Sequence, residues 1–331
     1  MNRWLILLWL YPLSHPQAQR MFDYEQQLVL PETFVRQEIE CTNPIDGVVL
    51  SGTLIYPSQG FDKVIIMVPG SGKDTRHSHF KLAESLLHQQ IAVYRFDERG
   101  IGKSGGKYNP TATSLQKDVI AVFQQLKQEE LLSNKKIGVF GHSLGGIASI
   151  GALGEGCSFD FLLQMATPVE NKGAFLQYQV TMNIVGFYTV PGKTPEEVIY
   201  FINVVRDTVQ ANEDYKTSKK KLKPIIKELD FQKGRHLLRP AIIDLMKQNH
   251  EETYQTSEAP ILYIIGSDDN QVSSTQAIRT LERLNNPNIR IARIEGGDHY
   301  LRDEDGPSEP KNPLYNITQE ACEVMINWIL A

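Results

Sequence analysis

Gly141-His142-Ser143-Leu144-Gly145 has the form G-x-S-x-G and lies between a β-branched apolar run and a small-residue helical stretch. A strand-to-helix turn sharp enough to expose a serine oxygen strains that residue's backbone. It also crowds the positions two before and two after, so both must be very small. The spacing therefore predicts a nucleophilic Ser143 at a strand's C-terminal end, with the positive N-terminus of a helix behind it. A serine hydroxyl needs a base, and the base needs a third group to fix its tautomer. In this arrangement the chain order is Ser, acid, His. His236 and His250 fall in a helical, charged stretch, whereas His299 follows the last predicted strand in Gly296-Gly297-Asp298-His299 and is the expected base.

Gly266-Ser267-Asp268-Asp269 leaves the preceding strand and offers two adjacent carboxylates. Asp269 fits the acid's role better, because Gly266-x-x-Asp269-x-x-Val272 returns Val272 towards the core. Asp268 is the alternative, otherwise a turn or cap residue. His142 reads as an elbow-packing residue. Two backbone N–H donors must hold the oxyanion. One is that of Leu144; the other comes from Pro69-Gly70-Ser71-Gly72, with Ser71 expected and Gly72 its neighbour alternative.

These residues need elements to carry them. Phe34 to Tyr56 alternates around Asn43-Pro44-Ile45-Asp46-Gly47 and predicts an antiparallel hairpin. Lys63–Val68, 91–96, 136–140 and 159–165 read as buried strands, with helices carrying Phe80 to Leu87, Leu115 to Leu126 and 146–153 between them. Single helices alternating with strands imply α/β architecture, a mostly parallel sheet covered on both faces. The rhythm breaks at Pro168. Residues 169–257 are helical and charged and read as an inserted cap, after which a strand at 260–265, a helix at 275–284, a strand at 289–294 and a helix at 318–330 complete a core of 19–168 and 258–331.

With Val68-Pro69-Gly70-Ser71-Gly72, Asp97-Glu98-Arg99-Gly100-Ile101-Gly102-Lys103-Ser104, Gly141 to Gly145, Gly266 to Val272 and Gly297-Asp298-His299 in this order, the sequence resembles an α/β-hydrolase. The resemblance is to the exported, carboxylesterase-like and serine-aminopeptidase-like branch. It implies the hydrolase fold with an inserted helical cap, and a Ser143, Asp269 and His299 triad cleaving carboxylic esters through an acyl-enzyme. Peptide or amide hydrolysis and acyl transfer are alternatives on the same triad, and a non-catalytic binding protein is a further one. A Pro-Gly-Ser-Gly loop stands where a His-Gly start is more common in the family. The implied partner is a small-molecule ester or amide, with neither cofactor nor metal.

Arg3 precedes the apolar run Trp4 to Tyr11 and the polar stretch to Gln19, the layout of a secretory signal cleaved after Ala18. Residues 1–18 are thus expected to direct export, an uncleaved membrane anchor being the rival. Cys41, Cys157 and Cys322 are too few for a disulfide scaffold and read as buried thiols. A net charge of −5 over 331 residues argues against a nucleic-acid footprint.

Three further signals carry weaker chemistry. Gly100 to Gly105 matches G-x-G-x-x-G, but Tyr108-Asn109-Pro110 delays the helix that a dinucleotide site requires. Arg99 and Ser104 are expected instead to hold the loop beside the site. Asp74, His77 and His79 sketch a metal site but read as a solvated helix start. Lys216 to Arg239, with nine Lys or Arg, reads as a solvated face.

Overall fold

The computed structural model describes residues 21–183, 186–212, 214–302 and 314–331. The expected leader, 1–18, lies outside them. Eight strands form one sheet: β1 (Phe34–Thr42), β2 (Val49–Pro57), β3 (Lys63–Val68), β4 (Ala92–Phe96), β5 (Lys136–His142), β6 (Phe161–Met165), β7 (Ile261–Gly266) and β8 (Ile289–Ile294). Their spatial order is β1-β2-β4-β3-β5-β6-β7-β8. β1 pairs antiparallel with β2, and β2 with β4; every later pair is parallel. The α/β-hydrolase architecture expected from the sequence is the one observed.

The continuous apolar runs are the central strands. Val64 to Val68, Ala92 to Phe96 and Ile261 to Ile265 are buried throughout, because helices cover both faces of a parallel sheet. Those helices are α1 (Phe80–His88), α2 (Ala112–Leu126), α3 (Leu144–Gly154), α9 (Ser274–Leu284) and α10 (Gln319–Leu330). Hydroxyls begin three of them: Thr111, Ser273 and Thr318 accept from the backbone N–H three residues on, satisfying a donor that the first helical turn leaves unpaired. α3 begins two residues earlier than its sequence pattern suggests, directly after Ser143, and is buried from Leu144 to Ala152.

Between β6 and β7 run α4 (Leu176–Met182), α5 (Pro195–Gln210), α6 (Tyr215–Glu228), α7 (Pro240–Leu245) and α8 (Glu251–Thr256). Buried apolar residues between Phe175 and Met246 form a hydrophobic cluster of their own, in which the Phe201 and Phe231 rings stack at 4.1 Å. Tyr254 of α8 packs instead into the core of the sheet. α5 starts with a capping box, in which Thr194 and Glu197 satisfy each other's backbone N–H, and with Pro195 at its first turn. The lysines of α6 are exposed while Leu222 and Ile226 face inward. Cys41, Cys157 and Cys322 are buried free thiols. Among the described residues no helix is long and apolar enough to cross a membrane.

Candidate active site

β5 delivers Ser143 into a tight elbow with φ 51° and ψ −113°, a left-handed φ that an L-residue adopts only under constraint. The constraint comes from its neighbours. Ser143 N–H donates to Met165 O at 2.8 Å, and its own carbonyl accepts from Gly146 and Ile147. A Cβ on Gly141 would lie 2.6 Å from Gly145 O, and one on Gly145 would lie 2.3 Å from Pro69 O. Those contacts give the steric reason for glycine on either side of the serine. Ser143 itself is half-buried, at the start of a helix whose first N–H groups have no intrahelical partner. Leu144 supplies the first of these.

The loop after β3 passes close by. A Cβ on Gly70 would stand 3.4 Å from Ser143 Cβ and 3.2 Å from His142 Nδ1. Ser71 is exposed beside it. Three tyrosines fasten the next residues: Tyr108 Oη donates to Gly72 O, Tyr24 Oη to Lys73 O at 2.6 Å and Tyr315 Oη to Asp74 Oδ1 at 2.7 Å. Asp74 is buried, and its N–H donates to Glu98 Oε2 at 2.8 Å. Burial raises the Asp74 carboxyl to about 7, and burial beside Asp74 raises Glu98 well above the usual carboxylate range.

His299 and Asp269 come together at the ends of β8 and β7. The His299 Nδ1 lies 2.9 Å from Asp269 Oδ2 and 3.0 Å from Oδ1, with both residues buried. Asp269 Oδ1 also accepts from the N–H groups of Gln271 and Val272, each at 2.8 Å, which orients the carboxylate. Val272 is fully buried. Asp268 is exposed and accepts from its neighbour Ser267 Oγ at 2.6 Å. The His299 loop is held by Asp298, which accepts from Tyr300 N–H and Arg302 N–H and pairs with the Arg302 guanidinium. A Cβ on Gly266 would strike Gly297 O at 1.9 Å, so the acid and histidine loops touch through bare backbone.

Three hydrogen bonds carry no signal in the sequence. His142 Nε2 donates to His299 O at 3.1 Å across 157 positions, so the packing residue also ties the elbow to the histidine loop. Tyr178 Oη of α4 donates to Asp269 O at 2.8 Å, and Gln179 Nε2 to Gln271 O at 3.1 Å, joining the inserted helices to the acid loop. All three unite segments that local spacing cannot relate.

The reading of Asp74, His77 and His79 as a solvated helix start is corrected. Asp74 and His79 are buried, and the His79 ring lies tilted 4.2 Å from Tyr315 and edge-on to His142 at 5.1 Å. The apolar residues Phe80, Ala83, Leu86 and Leu87 draw the start of α1 into the core, and His79 goes with it, its imidazole lowered to about 3 by burial. Among the described residues no group of three or more His, Cys, Asp or Glu is arranged to hold a metal ion. Arg99 bonds Asp118 through Nε at 2.8 Å and Asp46 through Nη1 at 2.6 Å; Ser104 Oγ donates to Asp97 O at 2.6 Å. Both residues brace the loop after β4.

Residues 59–170 match the serine aminopeptidase (S33) family model. The chain is 27% identical over 129 residues to the uncharacterized protein YfhR of Escherichia coli O157:H7, a match covering 38% of this chain and 44% of that protein. It is 34% identical over 65 residues to an uncharacterized 31.7 kDa protein of Escherichia coli, covering 19% and 23%. The matches thus span less than half the length of these relatives. The fold is similar to the esterase Pf2001 of Pyrococcus furiosus (TM-score 0.57, 22% identity, 92% of this chain and 97% of that one). It is also similar to the esterase EaEST of Exiguobacterium antarcticum (TM-score 0.53, 15% identity, 89% and 99%). By its sheet order and its elbow the chain has the α/β-hydrolase fold, and its residues 59–170 are similar to the serine aminopeptidase family.

Proposed function

We propose that the protein is a serine hydrolase that cleaves small-molecule carboxylic esters through an acyl-enzyme. The observation that carries this reading is the His299 Nδ1 to Asp269 carboxylate pair, joined through His142 to the Ser143 elbow. Ser143 attacks the ester carbonyl while His299 Nε2 takes its proton. Asp269 fixes the imidazole with Nε2 free and stabilises its cationic form. The N–H groups of Leu144 and Ser71 hold the oxyanion; His299 then protonates the departing alcohol, and water repeats the sequence on the acyl group. The helices of 169–257 act as a cap over the site, a role supported by the bonds from Tyr178 and Gln179 to the acid loop.

Hydrolysis of short acyl p-nitrophenyl esters tests the reading. Ser143→Ala should lower kcat by at least about 10⁴-fold with the fold unchanged, and a fluorophosphonate should label Ser143 in the parent protein. Full activity in that variant overturns the assignment. The aminopeptidase family match over 59–170 supports a second reading, aminoacyl amide hydrolysis by the same residues. A panel of aminoacyl amides set against esters separates the two by their kcat/KM values.

A further inference from the structure

A cavity of about 620 Å³ opens at the antiparallel side of the sheet, and none of Ser143, Asp269 and His299 lines it. Arg95 of β4 forms part of its wall. This side chain is almost wholly buried, with the residue 4% exposed, and its Nη2 donates to Ser78 O at 2.5 Å. Among the described residues no carboxylate lies within ion-pair distance of it. The nearby acids are committed elsewhere. Asp97 takes three bonds from Arg76 and one from Lys103 N–H. Glu38 accepts from Arg76 Nη1 and Thr53 Oγ1. Glu25 accepts from the Thr75 N–H and hydroxyl and from Phe22 N–H.

A buried guanidinium with neither counter-ion nor full hydration is unfavourable, and a fork of planar N–H donors suits an oxyanion. Three more cations line the same cavity, together with the carboxylates of Glu38 and Asp97, to which Arg76 is paired. Arg36 Nη2 donates to the Leu28 carbonyl, and Lys103 is mostly exposed, reaching Glu38 only at 4.0 Å. Leu28 and Ile55 supply an apolar wall. We propose that this cavity binds a small organic anion, its carboxylate or phosphate head on Arg95 and Lys103 and its short apolar body against Leu28 and Ile55. The site is distinct from the hydrolytic centre and does not depend on its assignment.

Isothermal titration of the full chain with octanoate, octyl phosphate and neutral octanol tests this. Octanoate or octyl phosphate should bind and octanol should not, the stronger of the two anions naming the headgroup. Arg95→Met should weaken that binding by about tenfold or more, as expected for loss of a charge-assisted hydrogen bond. Lys103→Ala, a surface change that leaves the fold intact, should weaken it by about threefold and keeps the test decisive if Arg95→Met does not fold. Octanol binding as tight as the anions', no anion binding to the parent chain, or affinity unchanged in Lys103→Ala overturns the proposal, as does unchanged affinity in a folded Arg95→Met.

Discussion

His142 Nε2 lies 3.1 Å from the backbone oxygen of His299, so the residue before the elbow serine is hydrogen-bonded to the loop that carries the expected base. A carbonyl only accepts, which makes Nε2 the protonated nitrogen and leaves Nδ1 a bare acceptor. Nδ1 is buried with no hydrogen-bond partner among the described residues. Burial, reinforced by His299 and His79, holds the His142 imidazole well below its usual range, so it stays neutral. A neutral bridge of this kind sets the position of the His299 backbone without competing for a proton.

His142→Phe removes the donor and keeps an aromatic ring in the cavity. The His299 carbonyl is left without its buried partner, at a cost of about 1–3 kcal/mol. We expect the fold to persist and kcat/KM for p-nitrophenyl acetate to fall at least about tenfold. Parental kinetics in this variant would show that the bridge does not position His299.

The two neighbouring carboxylates should separate cleanly. Asp269→Asn should lower kcat by about 10⁴-fold, since an amide cannot hold the imidazole in the same tautomer. Asp268→Asn alters an exposed group bonded to Ser267 and should stay within about threefold of the parent. Steady-state ester hydrolysis by the two variants checks the pair, and equal losses would refute the assignment.

Gly145→Ala brings a methyl group to 2.3 Å from Pro69 O and 2.5 Å from Val68 O. Both obstacles are backbone of a central strand end and cannot swing aside. Overpacking of this kind reaches the upper end of its usual range, about 3 kcal/mol. Urea unfolding should show the loss as a lower midpoint, and an unchanged midpoint would mean that the elbow can open.

Asp74 gives stability a pH dependence of definite sign. Its carboxyl rises from 3.8 to about 7 on folding, so between those values the native state holds a proton that the unfolded chain has released. The contribution is present at low pH and is lost as pH rises through about 7. Asp74→Asn mimics the protonated form and still offers Tyr315 an acceptor oxygen. The difference in melting temperature, variant minus parent, should therefore be near zero at pH 4 and positive at pH 8. A difference independent of pH would contradict a raised Asp74.

The strands were legible from local pattern because a parallel sheet covered on both faces demands unbroken apolar runs, and Val64 to Val68 and Ile261 to Ile265 are such runs. The start of α1 was not. His77 and His79 have polar side chains, and only the packing of α1 against the sheet explains why His79 is buried against Tyr315.

By itself the sequence determined the elbow, because steric crowding around one strained serine acts over five consecutive residues and leaves its mark in their types. It also determined the order of the strands that lead into the Asp269 and His299 loops. The tertiary structure decided which of two adjacent aspartates meets the histidine, since that depends on how the loop after β7 turns: Val272 is fully buried, Asp269 meets His299 and Asp268 stays exposed. It alone joined His142 to His299, Tyr178 to Asp269 and Arg95 to the cavity on the antiparallel side of the sheet. Those contacts unite residues from distant parts of the chain, and distance along a chain leaves no periodicity to read.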